Sequence, residues 1–298
     1  MDSGKWHPGY FEKVNFETGE IEKKKPLYVF KPENISARMS IDDKCIGHEG
    51  YTILSNGDTG KIAMMIESCK REEVGGAISL FGKELGKIRS ISCDMSATYL
   101  QVCNEQFPQA KIVIDKFHVM QYVYDAVLDV RTGIKKELSS LLSKGKAKTL
   151  DDRDILAKLD LLKHCRYRLT QSSEKWSSSG KEVMEQVFEI HPKLETAYRL
   201  AQSFKLWYDI NNRFKPKTQI IECLHKWYWE VKESGLEEFK SMVKMVRKHE
   251  YEIINFFIGG QTNARAERLN GKINRFISNN YGMKDKDFAL YRTALYFS

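Results

Sequence analysis

Residues 36–115 alternate between strand-like and helix-like runs in an order that few folds accommodate. The first predicted strand ends at Asp43, and the second and third cover 50–54 and 61–66. A helix over 72–85, a strand over 88–94, a helix over 96–106 and a strand over 111–115 follow. The run Asn56-Gly57-Asp58-Thr59-Gly60 is a strong turn signal, so the second and third strands should form an antiparallel hairpin.

Acidic residues stand at the ends of three of these strands. Asp42 and Asp43 end the first strand, Asp94 ends the fourth and Asp115 ends the fifth. In α/β sheets, the carboxyl ends of strands are where ligands and chemistry are placed. Three antiparallel strands, a helix and then strand–helix–strand is the order of an RNase H-like fold, and a right-handed crossover places its first and fourth strands side by side. We therefore expect an α/β chain with an RNase H-like mixed sheet, in which Asp42 lies near Asp94.

Helical periodicity dominates from about residue 118 to residue 257. Tryptophans at helical spacing predict a small separate core in this region: Trp176, Trp207, Trp227 and Trp229. A large α-helical insertion should thus precede the last long helix. The expected segments are an N-terminal arm (1–35), the first part of the RNase H-like core (36–119), the helical insertion (120–258) and a C-terminal helical part of the core (259–298).

The segment TNARAERLNGKINRF, residues 262–276, separates into three faces at helical spacing. An apolar row consists of Ala266, Leu269, Ile273 and Phe276. A polar row consists of Asn263, Glu267, Asn270 and Asn274, and a basic row of Arg265, Arg268, Lys272 and Arg275. Glu267 has no Lys or Arg three or four residues away, which argues against a surface ion pair. Its carboxylate could instead approach a sheet edge or a metal ion.

The charge of the chain suits a polyanionic partner. Its 298 residues carry a net charge of +8, with a pI of about 9.0. The basic row repels itself unless an anion is near, and a DNA backbone is the natural anion. A solvated cationic face is the alternative interpretation.

The remaining composition favours a cytoplasmic protein. No apolar run approaches the length of a membrane span, and the N-terminus lacks the apolar region of a signal peptide. The six cysteines form no CxxC pair, a pattern that favours free thiols over a zinc site or a disulfide framework.

Each acid has a structural alternative to catalysis. Asp94 together with Ser96 would cap a helix, Asp42 could simply end a strand, and Asp115 with His118 could be a buried cap and a satisfied histidine. Taken together, Asp42, Asp94 and a helical Glu267 are oxygen-only ligands, which suit Mg²⁺ or Mn²⁺. Two such ions, about 3.5–4 Å apart, stabilise both the attacking and the leaving oxygen of an in-line phosphoryl displacement.

Four blocks along the chain resemble those of a known family. They are Ile41-Asp42-Asp43 with Gly50-Tyr51-Thr52, Cys93-Asp94-Met95-Ser96 with Tyr99, Phe107–Ala110 through Ile114–Val119, and Thr262–Glu267 and Asn270 with Tyr281-Gly282. In this order they resemble the blocks of bacterial insertion-sequence transposases of the ISL3 type, which are members of the DDE superfamily. The resemblance spans roughly residues 36–297. It implies a catalytic and metal-binding triad of Asp42, Asp94 and Glu267. Beside this triad we expect supporting roles for Asp43, Asp115 and His118.

The resemblance also implies an activity and its partners. The chain would be the catalytic subunit of a DDE transposase that uses Mg²⁺ or Mn²⁺, two ions in all, to cut double-stranded DNA at element ends and join it to target DNA. Self-association and association with the bacterial nucleoid would accompany DNA binding. The basic row would hold the DNA backbone through Arg265, Arg268, Lys272 and Arg275. A catalytically inactive DNA-binding remnant, or an RNase H-fold nuclease without joining activity, are the alternatives.

The sequence departs from the family pattern in three places. Asp43 stands where the family has Glu, which leaves the choice between Asp42 and Asp43 as first metal ligand open. Arg268 follows the glutamate where the family has Gly. The family's N-terminal zinc-binding and helix-turn-helix region has no counterpart, so we expect either a truncated copy or end recognition by a separate DNA-binding polypeptide.

Overall fold

The computed structural model describes residues 7–14, 21–46, 48–142, 150–259, 264–279 and 286–297, with side chains from Tyr28 onward except at 150, 259, 264–267 and 286–289. Thr262 and Tyr281-Gly282 of the fourth block, and the side chains of Arg265 and Glu267, therefore lie outside the described part. The chain forms two compact units, residues 1–116 with 251–298 and residues 117–250. We call them the sheet unit and the helical unit. The four-segment division expected from the sequence stays a prediction.

The sheet unit contains a seven-stranded mixed sheet. Its strands are β1 (His7–Val14), β2 (Ile21–Phe30), β3 (Arg38–Ile46), β4 (Glu49–Asn56), β5 (Ile62–Ile66), β6 (Ser90–Cys93) and β7 (Lys111–Ile114). The order in the sheet is β1-β2-β5-β4-β3-β6-β7. β3, β4 and β5 are antiparallel neighbours, whereas β6 is parallel to β3 and β7 is parallel to β6. The predicted order of five strands is thus confirmed, including the adjacency of the first and fourth.

Helices cover both faces of this sheet. Between β5 and β7 the chain forms α1 (Arg71–Ser79) and α2 (Ala97–Gln106), which pack with Met39, Ile41 and Ile91 in one apolar cluster. The helix expected over 72–85 ends earlier, at Ser79, because the chain turns at Gly82 with φ 52° into a 3₁₀ segment over Gly82–Lys87. On the other face, α10 (Ala264–Asn279) and α11 (Lys286–Tyr296) pack through Leu269 and Leu290.

The helical unit lies between β7 and the return of the chain to the sheet unit. Its helices are α3 (Lys116–Leu141), α4 (Leu150–His164), α5 (Ser178–Ile190), α6 (Pro192–Trp207), α7 (Lys217–Glu233) and α8 (Lys240–Lys248), and α9 (Glu250–Gly259) leads back to the sheet unit. In the sheet unit, the amide of Asn255 on α9 donates to the Ile112 carbonyl of β7 at 2.9 Å. The chain therefore re-enters the sheet unit beside the strand from which it left. None of the helices in the described residues is long and apolar enough to cross a membrane.

Buried tryptophans anchor the core of the helical unit. Trp207 Nε1 donates to the Ile220 carbonyl and Trp227 Nε1 to the Leu200 carbonyl, each at 2.9 Å. The expectation that all four tryptophans would serve this core is wrong for Trp229, which is 60% exposed. Trp229 follows the buried Trp227 by two positions, and two helical residues turn a side chain about 200° away.

Candidate active site

Three carboxylates lie in one row across three adjacent parallel strands. The first strand was expected to end at Asp43 but continues to Ile46, so Asp42 lies within β3. Asp94 and Asp115 directly follow β6 and β7. Ser40 of β3 pairs with Ser92 of β6, so two further residues along each strand lead to Asp42 and Asp94. Cys93 pairs with Ile114 of β7, and the N–H of Asp115 donates to the Cys93 carbonyl at 2.8 Å. Neighbouring strands lie about 4.8 Å apart. The crossover predicted to bring Asp42 beside Asp94 therefore places Asp115 next in the same row.

Alternation along the strands decides which way these side chains point. Ile41 and Cys93 belong to the cluster with α1 and α2, so Asp42 and Asp94, one residue further on, project toward the face that carries α10. Asp42 of β3 is the pairing partner of Ile53 on β4, so the two side chains share a face of the sheet. Ile53 belongs to the apolar cluster that includes α10.

A hydrogen bond ties Asp42 directly to α10. Asn270 Nδ2 donates to Asp42 Oδ2 at 2.6 Å, and the backbone N–H of Asp43 donates to Asp42 Oδ1 at 2.9 Å. Both carboxylate oxygens are thus oriented. Asn270 was not among the residues to which sequence analysis gave a role, although its place three residues after Glu267 in the polar row was a usable signal.

Asp43 points to the opposite face of the sheet. It pairs with Thr52 of β4, whose hydroxyl donates to the Ser68 carbonyl at 2.6 Å and lies 2.9 Å from the hydroxyl of Tyr99 on α2. Tyr99 is 3% exposed, and burial raises its pKa well above the usual range of a tyrosine. Geometry therefore separates the two acids that the sequence left as alternatives, because Asp42 shares the face of α10 and Asp43 does not.

Asp94 is oriented by the start of α2. Its Oδ1 accepts from the N–H of Ser96 at 2.9 Å, and Ser96 Oγ accepts from the N–H of Tyr99 at 3.1 Å. The capping arrangement considered for this block is present. It does not exclude a second role, because one hydrogen bond to Oδ1 leaves the half-buried carboxylate with further lone pairs.

Asp115 and His118 are divided between the two units. Asp115 is 4% exposed and ends the row of acids in the sheet unit. His118 lies in the first turn of α3 in the helical unit, where its ring meets Phe117 edge-on at 5.6 Å between centroids.

A family model of DDE transposases of the ISL3 type, described as transposase, matches residues 39–295. The chain belongs to this transposase family. No curated protein and no solved structure showed significant similarity to it. The RNase H-like sheet is the fold expected of a DDE transposase, and such enzymes act on DNA and generally use divalent metal ions.

The bounds of α10 fix the position of Glu267 along the helix. The helix runs from Ala264 to Asn279, so Glu267 lies one turn before Asn270. Residues three apart share a helix face. The contact of Asn270 with Asp42 places this part of α10 beside β3.

The acids of this row offer the kind of donor that suits a hard divalent ion. Asp42 and Asp94 are partly exposed carboxylates on adjacent strands, and they offer oxygen ligands alone. Among the side chains that the structure describes, no three His, Cys, Asp or Glu converge closely enough to hold a metal ion.

The basic row of the transposase lies on the other side of α10. Arg268 and Lys272 stand two residues before and after Asn270, so each points about 160° away from it. Both are exposed. Together with Lys61 of the β4–β5 turn, they line a pocket with a volume of about 320 Å³. Arg275 continues this basic surface beside Tyr296.

Proposed function

We propose that this chain is the catalytic subunit of a DDE transposase that cleaves DNA at element ends and transfers the freed strand to target DNA. The observation that carries the proposal is the hydrogen bond from Asn270 to Asp42. It joins the helix bearing Glu267 to the strand bearing the first acid. Asp42 is the preferred first ligand over Asp43, because it shares the face of α10.

Each residue of the site has a distinct role in the proposed mechanism. Asp42, Asp94 and Glu267 would hold two Mg²⁺ or Mn²⁺ ions, which when bound activate the attacking group and neutralise charge on the leaving oxygen. Asn270 and the N–H of Asp43 keep the carboxylate of Asp42 in one orientation. Ser96 does the same for Asp94 through its N–H. Asp115 supports the row from β7 as its buried third member.

The basic row of α10 would hold the DNA backbone. Arg268, Lys272 and Arg275 are exposed, and Arg265 precedes them in the same helical row. Phosphate contacts of this kind position a duplex without reading its sequence. Recognition of the element ends would then come from another polypeptide or from self-association of the chain.

The decisive experiment compares the wild-type chain with Glu267→Gln on duplex DNA that carries the element's own ends. We expect Mg²⁺-dependent nicking and joining in the wild type and a loss of at least about 100-fold in the variant, because the substitution removes a charged metal ligand. Joined products, longer than the substrate, distinguish a transposase from a nuclease of the same fold. Equal activity of Glu267→Gln would remove Glu267 from the mechanism.

A second measurement does not depend on activity. Ligand binding to the folded state raises stability by mass action, so Mn²⁺ should raise the unfolding midpoint of the wild type. Asp94→Asn should lose that rise while keeping the circular dichroism spectrum of the wild type. Salt-dependent DNA binding that neither metal nor acid substitution affects would instead support a catalytically inactive remnant.

A further inference from the structure

The helical unit contains a cavity of about 560 Å³ between the end of α7 and the helix α8. This volume falls within the range of about 300–1,000 Å³ that is usual for small-molecule sites. The chain leaves α7 through Gly235, whose φ of 66° lies in the left-handed region that favours glycine. That turn brings α8 back alongside α7 and forms the cavity wall.

The floor of the cavity is apolar. It is formed by Val231 and Leu236, which are 5% and 4% exposed, by Val243 of α8 and by the ring of Tyr228. Such a floor favours a flat apolar body over a hydrated ion, because burying apolar surface is the favourable term.

The rim of the cavity is basic. It carries four exposed cations: Lys232, Lys240, Lys244 and Arg247. The lining includes one acid, Glu237, and it is paired with Lys240 at 2.6 Å. Within the described residues, Lys232 and Lys244 have no carboxylate at ion-pair distance. The rim therefore holds uncompensated positive charge around an apolar floor.

Contacts within the helical unit position the side chains on one side of the cavity. The guanidinium of Arg247 lies over the ring of Tyr228, 4.7 Å from its centroid. The hydroxyl of Tyr228 donates to Glu250 Oε2 at 3.0 Å, and the other oxygen of Glu250 meets His225 at 3.0 Å. A guanidinium offers a planar surface for stacking and donors for phosphate.

We propose that this cavity binds an unstacked base of single-stranded or distorted DNA, with the base on the apolar floor and its flanking phosphates on the lysines of the rim. A positively charged groove beside aromatic and apolar surface is the usual means of holding single-stranded nucleic acid. A compact cavity with cations around its mouth fits one nucleotide better than an acidic helix, which needs a long groove. The proposal rests on the proposed function only in taking DNA as the ligand.

The test uses the full chain and a short single-stranded oligonucleotide that carries 2-aminopurine, whose fluorescence changes when the base leaves its neighbours. We expect saturable binding of the oligonucleotide with a fluorescence change. The fully paired duplex of the same sequence, which the basic row of α10 can still hold, should bind without that change. Lys244→Glu should weaken oligonucleotide binding roughly tenfold or more, since it places a carboxylate at the rim. Lys248→Glu makes the same charge change on α8 outside the cavity and should have a clearly smaller effect.

Two results would overturn the assignment. Equal weakening by Lys244→Glu and Lys248→Glu would reduce the effect to general electrostatics. Tighter capture of an acidic amphipathic peptide than of the oligonucleotide would assign the cavity to a protein partner. Filling the cavity with Val243→Trp provides a second variant, which should abolish the fluorescence change without altering the charge.

The outcome is separable from that of the proposed function. Asp94→Asn should leave oligonucleotide binding unchanged, because Asp94 does not line the cavity. If Asp94→Asn abolishes cleavage while Lys244→Glu binds normally, the cavity assignment alone fails. If Asp94→Asn cleaves as the wild type does, the proposed function fails and the binding results still decide the cavity.

Discussion

At the scale of single residues, the carboxylate of Asp42 is the best-defined group of the site. One of its oxygens accepts from the amide of Asn270 and the other from the backbone of Asp43. Hydrogen-bond partners that orient a metal ligand often matter nearly as much as the ligand itself. Asn270 therefore acts as a positioning residue in the proposed mechanism.

Removing that amide should weaken the metal site without unfolding the chain. We expect Asn270→Ala to lower DNA cleavage by about 10–100-fold and to raise the Mg²⁺ concentration needed for half-maximal activity. Asn270→Asp should be more damaging at low Mg²⁺, since it brings a like charge to Asp42. A titration of activity with Mg²⁺ measures both effects.

Asn274→Ala provides the matched control, since Asn274 lies one turn further along α10 with an exposed side chain. It should behave as the wild type. A Mg²⁺ requirement that stays unchanged in Asn270→Ala would contradict the positioning role.

Sequence reasoning reached Asp42 and Asp94 because strand order and the handedness of crossovers determine which strands are neighbours. It could not choose between Asp42 and Asp43, since that choice depends on which face of the strand meets α10. The contact of Asp42 with Asn270 joins residues 228 positions apart, and the sequence could not predict it either. Helical spacing alone could place Asn270 on one face with Glu267, but it could not show what that face meets.

At the scale of secondary-structure elements, α10 joins packing to chemistry. Its apolar row buries Leu269 and Ile273, which are 4% and 0% exposed, against the face of the sheet that holds Ile53 and Met65. The polar row is held at a fixed rotation from the apolar one. Seating the apolar row on the sheet thus determines where the polar row lies relative to the acids.

Truncating the apolar row should therefore disturb the site as well as the fold. Ile273→Ala leaves a cavity under α10, and we expect it to cost about 2–5 kcal/mol of unfolding free energy in the sheet unit, against about 0.5–1.5 kcal/mol for Ile273→Val. Hydrogen exchange of the β4 amides measures the loss. Four of the five tryptophans lie in the helical unit, so the fluorescence-detected unfolding of that unit serves as an internal control. A β4 that is equally protected in wild type and Ile273→Ala would contradict this account.

The N-terminal hairpin shows how the length of a strand can escape pattern reasoning. Within the segment expected to be an N-terminal arm (1–35), β1 has eight residues and pairs with β2, which has ten residues and joins the sheet beside β5. The run Glu22-Lys23-Lys24-Lys25 is too charged to indicate a buried strand. Pairing of its backbone with β1 is a tertiary effect that overrides local preference.

At the scale of the whole molecule, positive charge and the acids occupy different sides of α10. The exposed side chains of Arg268, Lys272 and Arg275 turn away from Asp42 and face the basic surface that includes Lys61. Cations beside the acids would pair with them and compete with metal. The arrangement separates the surface proposed to hold DNA from the proposed metal site.

Removing the three cations should weaken DNA binding in a salt-dependent way. Each phosphate contact contributes about 0.9 to the slope of log K against log salt concentration. We expect the triple variant with alanine at 268, 272 and 275 to lower that slope by about 2–3. Titrations of a duplex at several salt concentrations measure it.

Lys83→Ala is the control, since Lys83 is an exposed cation in the 3₁₀ segment on the α1–α2 side of the sheet. The slope of log K against log salt concentration should be the same for Lys83→Ala as for the wild type. If the triple variant keeps the wild-type slope, the basic row of α10 does not contact phosphate.

The long separation between Asp42 and Asn270 has a consequence for protein synthesis. On the ribosome, all three acids of the row across β3, β6 and β7 have been translated once Asp115 has emerged, whereas α10 follows only after the entire helical unit. Until then Asp42 has no amide partner from α10, and Ile53 has no helix from α10 to cover it. A nascent chain thus carries the acids without the glutamate that would complete the site. Translation that stops anywhere within the helical unit would release a polypeptide that cannot cut DNA by the proposed mechanism.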